Sequence, residues 1–394
     1  MNNKQLRYTT FALASIAAGT AGLLWWAGKN LEGWLNRVQP EPLPDVTPAA
    51  QQLHQDSLVV DMHCDSLLFG RDLLSRSATG HIDLPRLQAS NVAIQVFAAA
   101  TRIPLGFNVT RTPAHSPDLL RIAGAVQASR MAWQSPLGRA LHMAQRLHEM
   151  AEQSGGQLRV LHNQEELAQL LAARKERPFL TGGILAIEGT QALNGNPANV
   201  DKLYAAGYRI IGLTHFYDTE FAGSAHGWRK GGLTAKGLDL LVRMGGYNIL
   251  LDVAHLSPQA LEDVLTVWQR PLLMSHGGVR ATGDNPRNLS DDQIRAIAAT
   301  GGVIGVGFWE TAVGGRHPRH IIAALQHIID LVGDDHAALG SDFDGGITTA
   351  FDAAQLAILT QQMLDTGFPE TTIRKILGGN ALRLLQSALP AAAV

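Results

Sequence analysis

Eight short apolar runs between residues 57 and 339 alternate with segments of helical spacing, and this alternation restricts the folds open to the chain. The runs are apolar on both faces, which is typical of parallel strands covered by helices. Eight strand–helix units predict an α/β fold, a (β/α)8 barrel of the TIM type. The predicted strands are residues 57–62, 92–97, 183–187, 208–213, 248–253, 272–274, 303–306 and 337–339.

The rhythm of strands and helices is interrupted between the second and third predicted strands. Residues 118–171 carry scattered apolar positions, so we predict a helical insertion there and not a further domain. Segments that follow the last strand are predicted to be closing helices, over residues 352–364, 370–377 and 380–389. The barrel domain is therefore expected to span residues 49–390. The Pro-rich stretch 31–48 before it predicts a stiff, extended linker.

An apolar run with basic flanks, residues 11–27, lies near the N-terminus. Its length lies between that of a secretory signal and that of a transmembrane helix, and Trp25 and Trp26 suit a membrane interface. We predict a signal anchor, a membrane-anchor helix within residues 1–30, with the catalytic domain in the periplasm or otherwise outside the cytoplasm. A cleaved secretory signal and a buried N-terminal helix are the two alternatives.

The charge balance bears on the class of partner. The chain of 394 residues has a formal net charge of −2, so no basic field is available for nucleic acid and a small-molecule substrate is the expected partner. Cys64 is the only cysteine, which excludes an intramolecular disulfide. A homodimer is compatible with the sequence, which does not determine the oligomeric state.

Six of the eight predicted strands are followed at once by a histidine or a carboxylate. In a barrel of this kind the carboxyl ends of the strands form the active-site face. In strand order, these residues are His63 and Asp65, Glu188, His215, His255, His276, and Asp342 with Asp344. The pattern predicts that all of them meet at one rim.

The residue types at this rim favour a metal site. His63 and Asp65 are two residues apart on an extended strand, so they face the same way and can chelate one ion. Taken singly, such histidines are more often core residues, but an unpaired Glu188 after an apolar strand would be costly to bury. Imidazoles and carboxylates are ligands of zinc-type ions, and one carboxylate can bridge two ions.

These residues lie in motifs that resemble those of the membrane (renal) dipeptidases, a branch of the amidohydrolase-type barrels. The resemblance covers roughly residues 58–385 and depends on several motifs in combination. They include VVDMHCD, AIEG, LTHF followed by GSAHG, LLDVAHLS, LLMSHGGVR, NPRNLSDDQI and LGSDFDG. One departure is Cys64, where the family more often has asparagine. We interpret Cys64 as a packing residue, with entry of its thiolate into the metal site as the alternative.

The resemblance implies a zinc metallopeptidase with two Zn²⁺ ions and a role for each rim residue. Glu188 would bridge the two ions, and the other ligands would be His63 and Asp65 on one ion and His255 and His276 on the other. His215 would contact the substrate and the developing oxyanion, and Asp342 would transfer the proton. Arg287 would hold the substrate carboxylate, although a solvated loop arginine is the alternative reading from the sequence. Asp344 is expected to support its neighbours.

The sequence thus predicts a dipeptidase that cleaves dipeptides with a free C-terminal carboxylate, Xaa-D-Xaa among them, by a hydroxide shared between two zinc ions. The alternative enzyme is an amidohydrolase for an N-acyl amino acid or a lactone. His215 in place of a lysine after the fourth strand argues against the branch that uses a carboxylated lysine. A catalytically silent, membrane-anchored binding protein is the alternative outside enzymes.

Overall fold

A closed barrel of eight parallel strands forms the centre of the structure, a computed structural model that describes residues 30–126 and 133–392. Strands β3, β2, β10, β9, β8, β7, β6 and β5 are hydrogen-bonded in that order, and the pairing of β3 with β5 closes the ring. The strands are β1 (Arg37–Val38), β2 (Val59–Cys64), β3 (Val92–Ala100), β4 (Leu158–Val160), β5 (Thr181–Glu188), β6 (Tyr208–Gly212), β7 (Leu250–Asp252), β8 (Leu273–Met274), β9 (Val303–Val306), β10 (Ala337–Leu339) and β11 (Thr348–Thr349). The predicted (β/α)8 fold is confirmed.

Helices surround the barrel, and several of them begin at side-chain caps. Ser257 accepts a hydrogen bond from the amide of Ala260, and Pro258 occupies the first helical position, where no amide hydrogen is needed. Ser290 and Gln293 form a reciprocal capping box. The helices are Pro48–Gln55, Leu84–Ala89, Leu119–Val126, Pro136–Gln153, Gln164–Arg174, Val200–Ala205, Ala235–Gly246, Pro258–Val267, Asp291–Ala299, Glu310–Val313, Pro318–Val332, Ala357–Asp365, Glu370–Arg374 and Asn380–Ala388, with a π-helix at Lys375–Gly379.

The insertion between the second and third barrel strands contains the predicted helices, but it also contains a strand. β4 pairs in parallel with β5 through Leu158 and Thr181. β4 and β6 pair with the same edge of β5. β4 pairs with residues 181–183 at the start of this edge, and β6 pairs with residues 185–188 further along it. A three-residue run is too short for its alternation to be recognised in the sequence, so this strand was missed.

The N-terminal part of the described chain differs from the predicted extended linker. Residues 30–35 are helical, and β1 pairs in parallel with β11 beyond the last barrel strand. Residues 39–47 have no regular secondary structure. In residues 30–126 and 133–392 no helix is long and apolar enough to cross a membrane, and the predicted anchor at residues 11–27 lies outside this part of the chain.

His54, on the helix Pro48–Gln55, is fully buried and makes stability depend on pH. Its ring nitrogens contact the Thr360 hydroxyl at 2.8 Å and the Ser90 carbonyl at 3.0 Å. Burial lowers the pKa of His54 to about 4, against a weaker opposing effect of the Ser90 carbonyl. Between this value and the ordinary pKa near 6.5, the unfolded chain binds the proton and the folded chain does not, so stability falls as the pH falls.

We expect the free energy of unfolding of the wild type to fall by about 2 kcal/mol more between pH 7 and pH 5 than that of His54→Gln. Glutamine has no titrating group, and all other titrating groups are shared by the two proteins. Urea unfolding at both pH values measures the difference. Equal losses in the two proteins would contradict this role of His54.

Candidate metal centre

The carboxyl ends of the barrel strands bring the predicted rim residues together in one buried site. His63 lies on β2 with Asp65 directly after it, and Glu188 is the last residue of β5. The turns after β6, β7, β8 and β10 supply His215, His255, His276 and Asp342. All these residues except Asp342 are nearly inaccessible to solvent. The short loops at one end of a parallel barrel therefore carry the whole group.

Glu188 lies at the centre of the group. Its Oε1 atom is 2.9 Å from His255 Nε2, 3.4 Å from His276 Nε2 and 3.7 Å from His63 Nε2. Its Oε2 atom is 3.5 Å from His215 Nε2. One carboxylate thus faces four imidazoles that come from four different strands.

Three overlapping groups of side chains in the described residues have the spacing to hold a metal ion. The groups are His63 with Glu188 and His276, His215 with Glu188 and His255, and His63 with Asp65 and Asp342. Asp342 and His215 therefore lie within reach of a metal ion as well as of a substrate. The resemblance had implied a different partition, with both of these residues outside the ligand set.

Ser275 fixes which nitrogen of His276 carries the proton. The Ser275 hydroxyl donates to Asp252 Oδ2 at 2.5 Å, so its lone pair is left to accept from His276 Nδ1 at 2.9 Å. His276 Nε2 is then unprotonated and presents its lone pair to Glu188 and His255. Hydrogen bonds to the outer nitrogen of a metal-binding histidine have this orienting effect in many metalloproteins.

His226 does the same for His255. The Val109 carbonyl can only accept, so His226 Nδ1 donates to it at 2.9 Å. His226 Nε2 must then accept from His255 Nδ1 at 3.0 Å. Burial lowers the pKa of His226 to about 3, which agrees with a neutral ring. His255 Nε2 is left with a lone pair that points to the centre of the site.

The convergence of lone pairs is the observation that fits a cation. His255 Nε2 and His276 Nε2 lie 2.9 Å apart, and both face Glu188 Oε1. A single proton on Glu188 could form a hydrogen bond in only one of these contacts. A divalent cation could accept the lone pairs of all three atoms. Three further atoms of the site, His63 Nε2, Asp65 Oδ1 and Glu188 Oε2, are buried and have no hydrogen-bond partner among the described residues. Nitrogen and carboxylate oxygen ligands together suit zinc-type ions.

Burial and crowding shift the pKa values of these groups in opposite directions. Burial, together with the charge of Asp65, raises the pKa values of Glu188 and Asp342 well above the ordinary range. Burial lowers the pKa values of His215, His255 and His276 well below theirs. Both shifts reflect the cost of charge in a dry site, which a bound cation would offset.

Three of the rim residues have a left-handed backbone that is unusual for residues with a side chain. φ is 63° at His255, 61° at Asp342 and 64° at Asp344. A positive φ costs a non-glycine residue free energy, and such residues cluster at functional sites. These residues lie in the turns that follow β7 and β10, at the end of the barrel that carries the site.

Asp344 and Cys64 support the site from behind. Asp344 is fully buried and accepts hydrogen bonds from the Ser66 hydroxyl and the His81 amide, both at 2.6 Å, and also from Arg71. Cys64 belongs to none of the metal-holding groups among the described residues, and burial raises the pKa of its thiol well above the usual range. It is a packed thiol.

Arg287 lines the same cavity, which has a volume of about 490 Å³. Its Nη2 atom donates to the His276 carbonyl at 2.7 Å, while its Nε atom is buried and has no hydrogen-bond partner in the part of the chain that the structure describes. Burial lowers the pKa of Arg287 to about 10, so the guanidinium is still charged at neutral pH. Phe107 and Phe216, in ring contact at 4.8 Å, form part of the apolar wall.

Comparison with known proteins identifies the family. A family model described as membrane dipeptidase, peptidase family M19, matches residues 48–393. The chain belongs to this family. It is accordingly a metallo-dipeptidase hydrolase, and the resemblance seen in its motifs is confirmed.

Relatives and solved structures agree with membership of the membrane dipeptidase family. An uncharacterised protein of Klebsiella pneumoniae from the pqqA 5′ region is 31% identical over 61% of this chain and 93% of its own. The dipeptidase verJ of Clonostachys rogersoniana is 26% identical over 61% of this chain and 63% of its own length. A metallopeptidase from Rhodobacter sphaeroides, liganded with a phosphinate mimic of L-Ala-D-Ala, has a TM-score of 0.69 and 26% identity over 84% of this chain and 100% of that one.

The residues that orient the ligands were not predicted from the sequence. Ser275, itself bonded to Asp252, contacts His276, and His226 in the GSAHG motif contacts His255. The serine and the aspartate each stand within three residues of a predicted ligand, which is a usable signal. No such signal marks His226, because it is 29 residues from His255 in the sequence. The two histidines meet only in the fold, where the Ala225 amide donates a hydrogen bond to the His255 carbonyl.

Proposed function

We propose that the chain is a binuclear zinc dipeptidase whose catalytic domain spans residues 49–390. The observation that carries this proposal is the position of the Glu188 carboxylate, whose Oε1 atom faces His63, His255 and His276 while its Oε2 atom faces His215. A carboxylate in that position can bridge two ions about 3.5–4 Å apart. His63 and Asp65 would complete one ion's ligands, and His255 and His276 the other's. Zinc bound there would supply a nucleophilic hydroxide at neutral pH and a Lewis acid for the scissile carbonyl.

His215 is proposed to stabilise the oxyanion. Burial keeps this imidazole neutral, and its Nδ1 atom has no hydrogen-bond partner within residues 30–126 and 133–392. Its other nitrogen is 3.5 Å from the Glu188 carboxylate, so the ring borders the position of a carbonyl carbon under attack. A neutral donor fixed beside developing negative charge typically contributes about 10²–10³ in rate.

Asp342 is proposed to accept the proton of the attacking water and return it to the leaving amine. Its Oδ1 atom is 3.9 Å from His63 Nε2, which puts the carboxylate beside the proposed metal ligands. A carboxylate at that position can take a proton from a bound water and release it to the leaving group.

Arg287 is proposed to bind the C-terminal carboxylate of the dipeptide. Its guanidinium is charged, buried and only partly satisfied by the His276 carbonyl. The planar fork of arginine suits a carboxylate, whereas lysine presents a point charge. The ligand of the Rhodobacter sphaeroides protein mimics L-Ala-D-Ala, which supports substrates of the form Xaa-D-Xaa.

Arg287→Met is expected to raise KM for a dipeptide by about 10²-fold or more, with a smaller effect on kcat, because the carboxylate loses a buried charged partner. Steady-state kinetics with Ala-D-Ala measures both constants. The matched control is Arg295→Met, whose side chain is half exposed on the surface. A variant of Arg287 with unchanged KM would contradict the carboxylate-binding role.

The N-terminal apolar run at residues 11–27 is proposed to hold the enzyme at a membrane, with the catalytic domain in the periplasm or otherwise outside the cytoplasm. Membership of the membrane dipeptidase family supports this proposal. Cleavage of the segment as a secretory signal is the alternative, and N-terminal sequencing of the mature protein distinguishes the two. A homodimer is proposed as the assembly, to be tested by sedimentation.

A substrate panel with metal analysis on the same sample tests the proposed function. We expect about two zinc ions per chain and hydrolysis of Xaa-D-Xaa dipeptides, with little activity on the same dipeptides amidated at the C-terminus. N-acyl amino acids and lactones in the panel represent the alternative amidohydrolase activity. A folded, metal-free preparation with full activity would overturn the metal-dependent mechanism, and a preference for lactones would overturn the substrate.

A further inference from the structure

The segment of residues 30–41, here called the strap, is tied to the mouth of the active site. Asn36 Oδ1 accepts a hydrogen bond from the Gly346 amide at 2.8 Å, and the Arg37 amide donates to the Ile347 carbonyl at 3.1 Å. Glu32 forms an ion pair with Arg71, which also contacts Asp344 behind the metal centre. The strap is therefore fixed to the loop that follows β10.

The strap contributes two side chains to the active-site cavity. Leu31 and Leu35 both line it, and they are four residues apart on the helical part of the strap, so they share one face. Leu68, Phe69 and Ile347 line the same cavity. Together these five side chains form an apolar wall of the cavity, and no side chain of the described residues fills the space in front of it.

The wall lies on one side of the metal centre. Leu68 and Phe69 follow Asp65 by three and four residues, and Ile347 follows Asp342 by five. Arg287 is bonded to the backbone of His276, which follows β8, and β8 is separated from β10 by β9 and from β2 by β9 and β10. A dipeptide with its carboxylate on Arg287 would therefore extend its N-terminal residue toward the strap.

The size of the cavity favours an occupant larger than two alanines. Pockets of roughly 300–1,000 Å³ bury drug-sized ligands, and this cavity measures about 490 Å³. Burial of an apolar side chain against leucines is favourable in proportion to the area removed from water. A large apolar side chain on the N-terminal residue of the substrate would fill the part of the cavity that an alanine side chain leaves empty.

We propose that the strap forms the subsite for the N-terminal side chain of the substrate, and that Leu31 and Leu35 give this subsite a preference for large apolar residues. This inference rests on the proposed dipeptidase function. The family match begins at residue 48, after the strap, so the part of the wall that Leu31 and Leu35 contribute lies outside the matched residues.

Three substrates, Leu-D-Ala, Ala-D-Ala and Ala-D-Leu, test the position of the subsite in the full-length protein. We expect Leu35→Ala to lower kcat/KM for Leu-D-Ala by about 5- to 20-fold and to change the values for the other two less than twofold. Leu35→Met, which keeps an apolar side chain of similar volume, should restore most of the loss. Leu31→Ala should act in the same direction.

Val38→Ala is the matched control, because Val38 lies on the strap, is 37% exposed and does not line the cavity. It should leave all three substrates unchanged. An equal loss on all three substrates with Leu35→Ala, no change on any, or a gain on Leu-D-Ala would each overturn the proposal. A wild type that hydrolyses none of them would instead contradict the dipeptidase function. Zinc content and thermal midpoint, measured on every variant, separate both results from misfolding.

Discussion

Asp342→Asn is expected to lower kcat by about 10³-fold while the protein keeps its metal ions. The substitution preserves the shape of the side chain but removes the ability to accept a proton and return it, and proton transfer by a positioned group contributes about 10²–10⁴ in rate. The backbone of Asp342 accepts from the Gly345 amide and donates to the His63 carbonyl, and the substitution leaves both bonds in place, so the turn at φ 61° should persist. Turnover of Ala-D-Ala and zinc content by mass spectrometry measure the two halves of the prediction.

Asp292→Asn is the control for this variant, because the Asp292 side chain is almost fully exposed on the surface. It should leave both turnover and zinc unchanged. Loss of zinc from Asp342→Asn would mean that Asp342 is a metal ligand, as its grouping with His63 and Asp65 permits. A rate close to that of the wild type would contradict the proton-transfer role.

Glu188→Gln is expected to remove metal binding at both positions and with it all measurable activity. Glu188 contacts His63, His215, His255 and His276, and a neutral amide replaces an anion that would otherwise bridge two cations. The zinc content should fall from about two ions per chain to well below one. Loss of one ion only would show that Glu188 does not bridge, and retention of both would contradict the site.

A thermal shift with added zinc gives a readout of Glu188→Gln that does not depend on activity. A ligand at 100 times its Kd stabilises the folded state by about 2.7 kcal/mol, so zinc should raise the thermal midpoint of the metal-stripped wild type. The variant should show no such rise. Glu370→Gln, whose side chain is mostly exposed, should behave as the wild type does.

Much of the barrel could be predicted from the sequence because its signals are local. Apolar runs on parallel strands need burial on both faces, and the structure extends the run that begins at Val59 as far as Cys64. This extension places His63 on β2 itself, with Asp65 directly after it. The missed strand β4 shows the limit of such signals, because three residues carry too little periodicity to be recognised.

The rim residues could be predicted as a group, but their mutual contacts could not. Strand ends meet at one face of a barrel whatever the loops do, so the sequence places eight ionisable residues at one rim. Asp342 lies near His63, and His215 lies near Glu188. Both contacts depend on the conformation of loops of only a few residues. Those turns set ångström distances, which decide between a metal ligand and a group that acts on the substrate.

The fold, the family and the set of rim residues follow from the sequence, since they depend on local periodicity and on motifs. The orientation of the ligands by His226 and Ser275, and the approach of Leu31 and Leu35 to the cavity, follow from the tertiary structure alone. These contacts join residues far apart in the chain, such as Asn36 and Gly346. A long-range contact leaves no periodic trace in either partner, because it is fixed by the packing of the whole barrel and not by neighbouring residues.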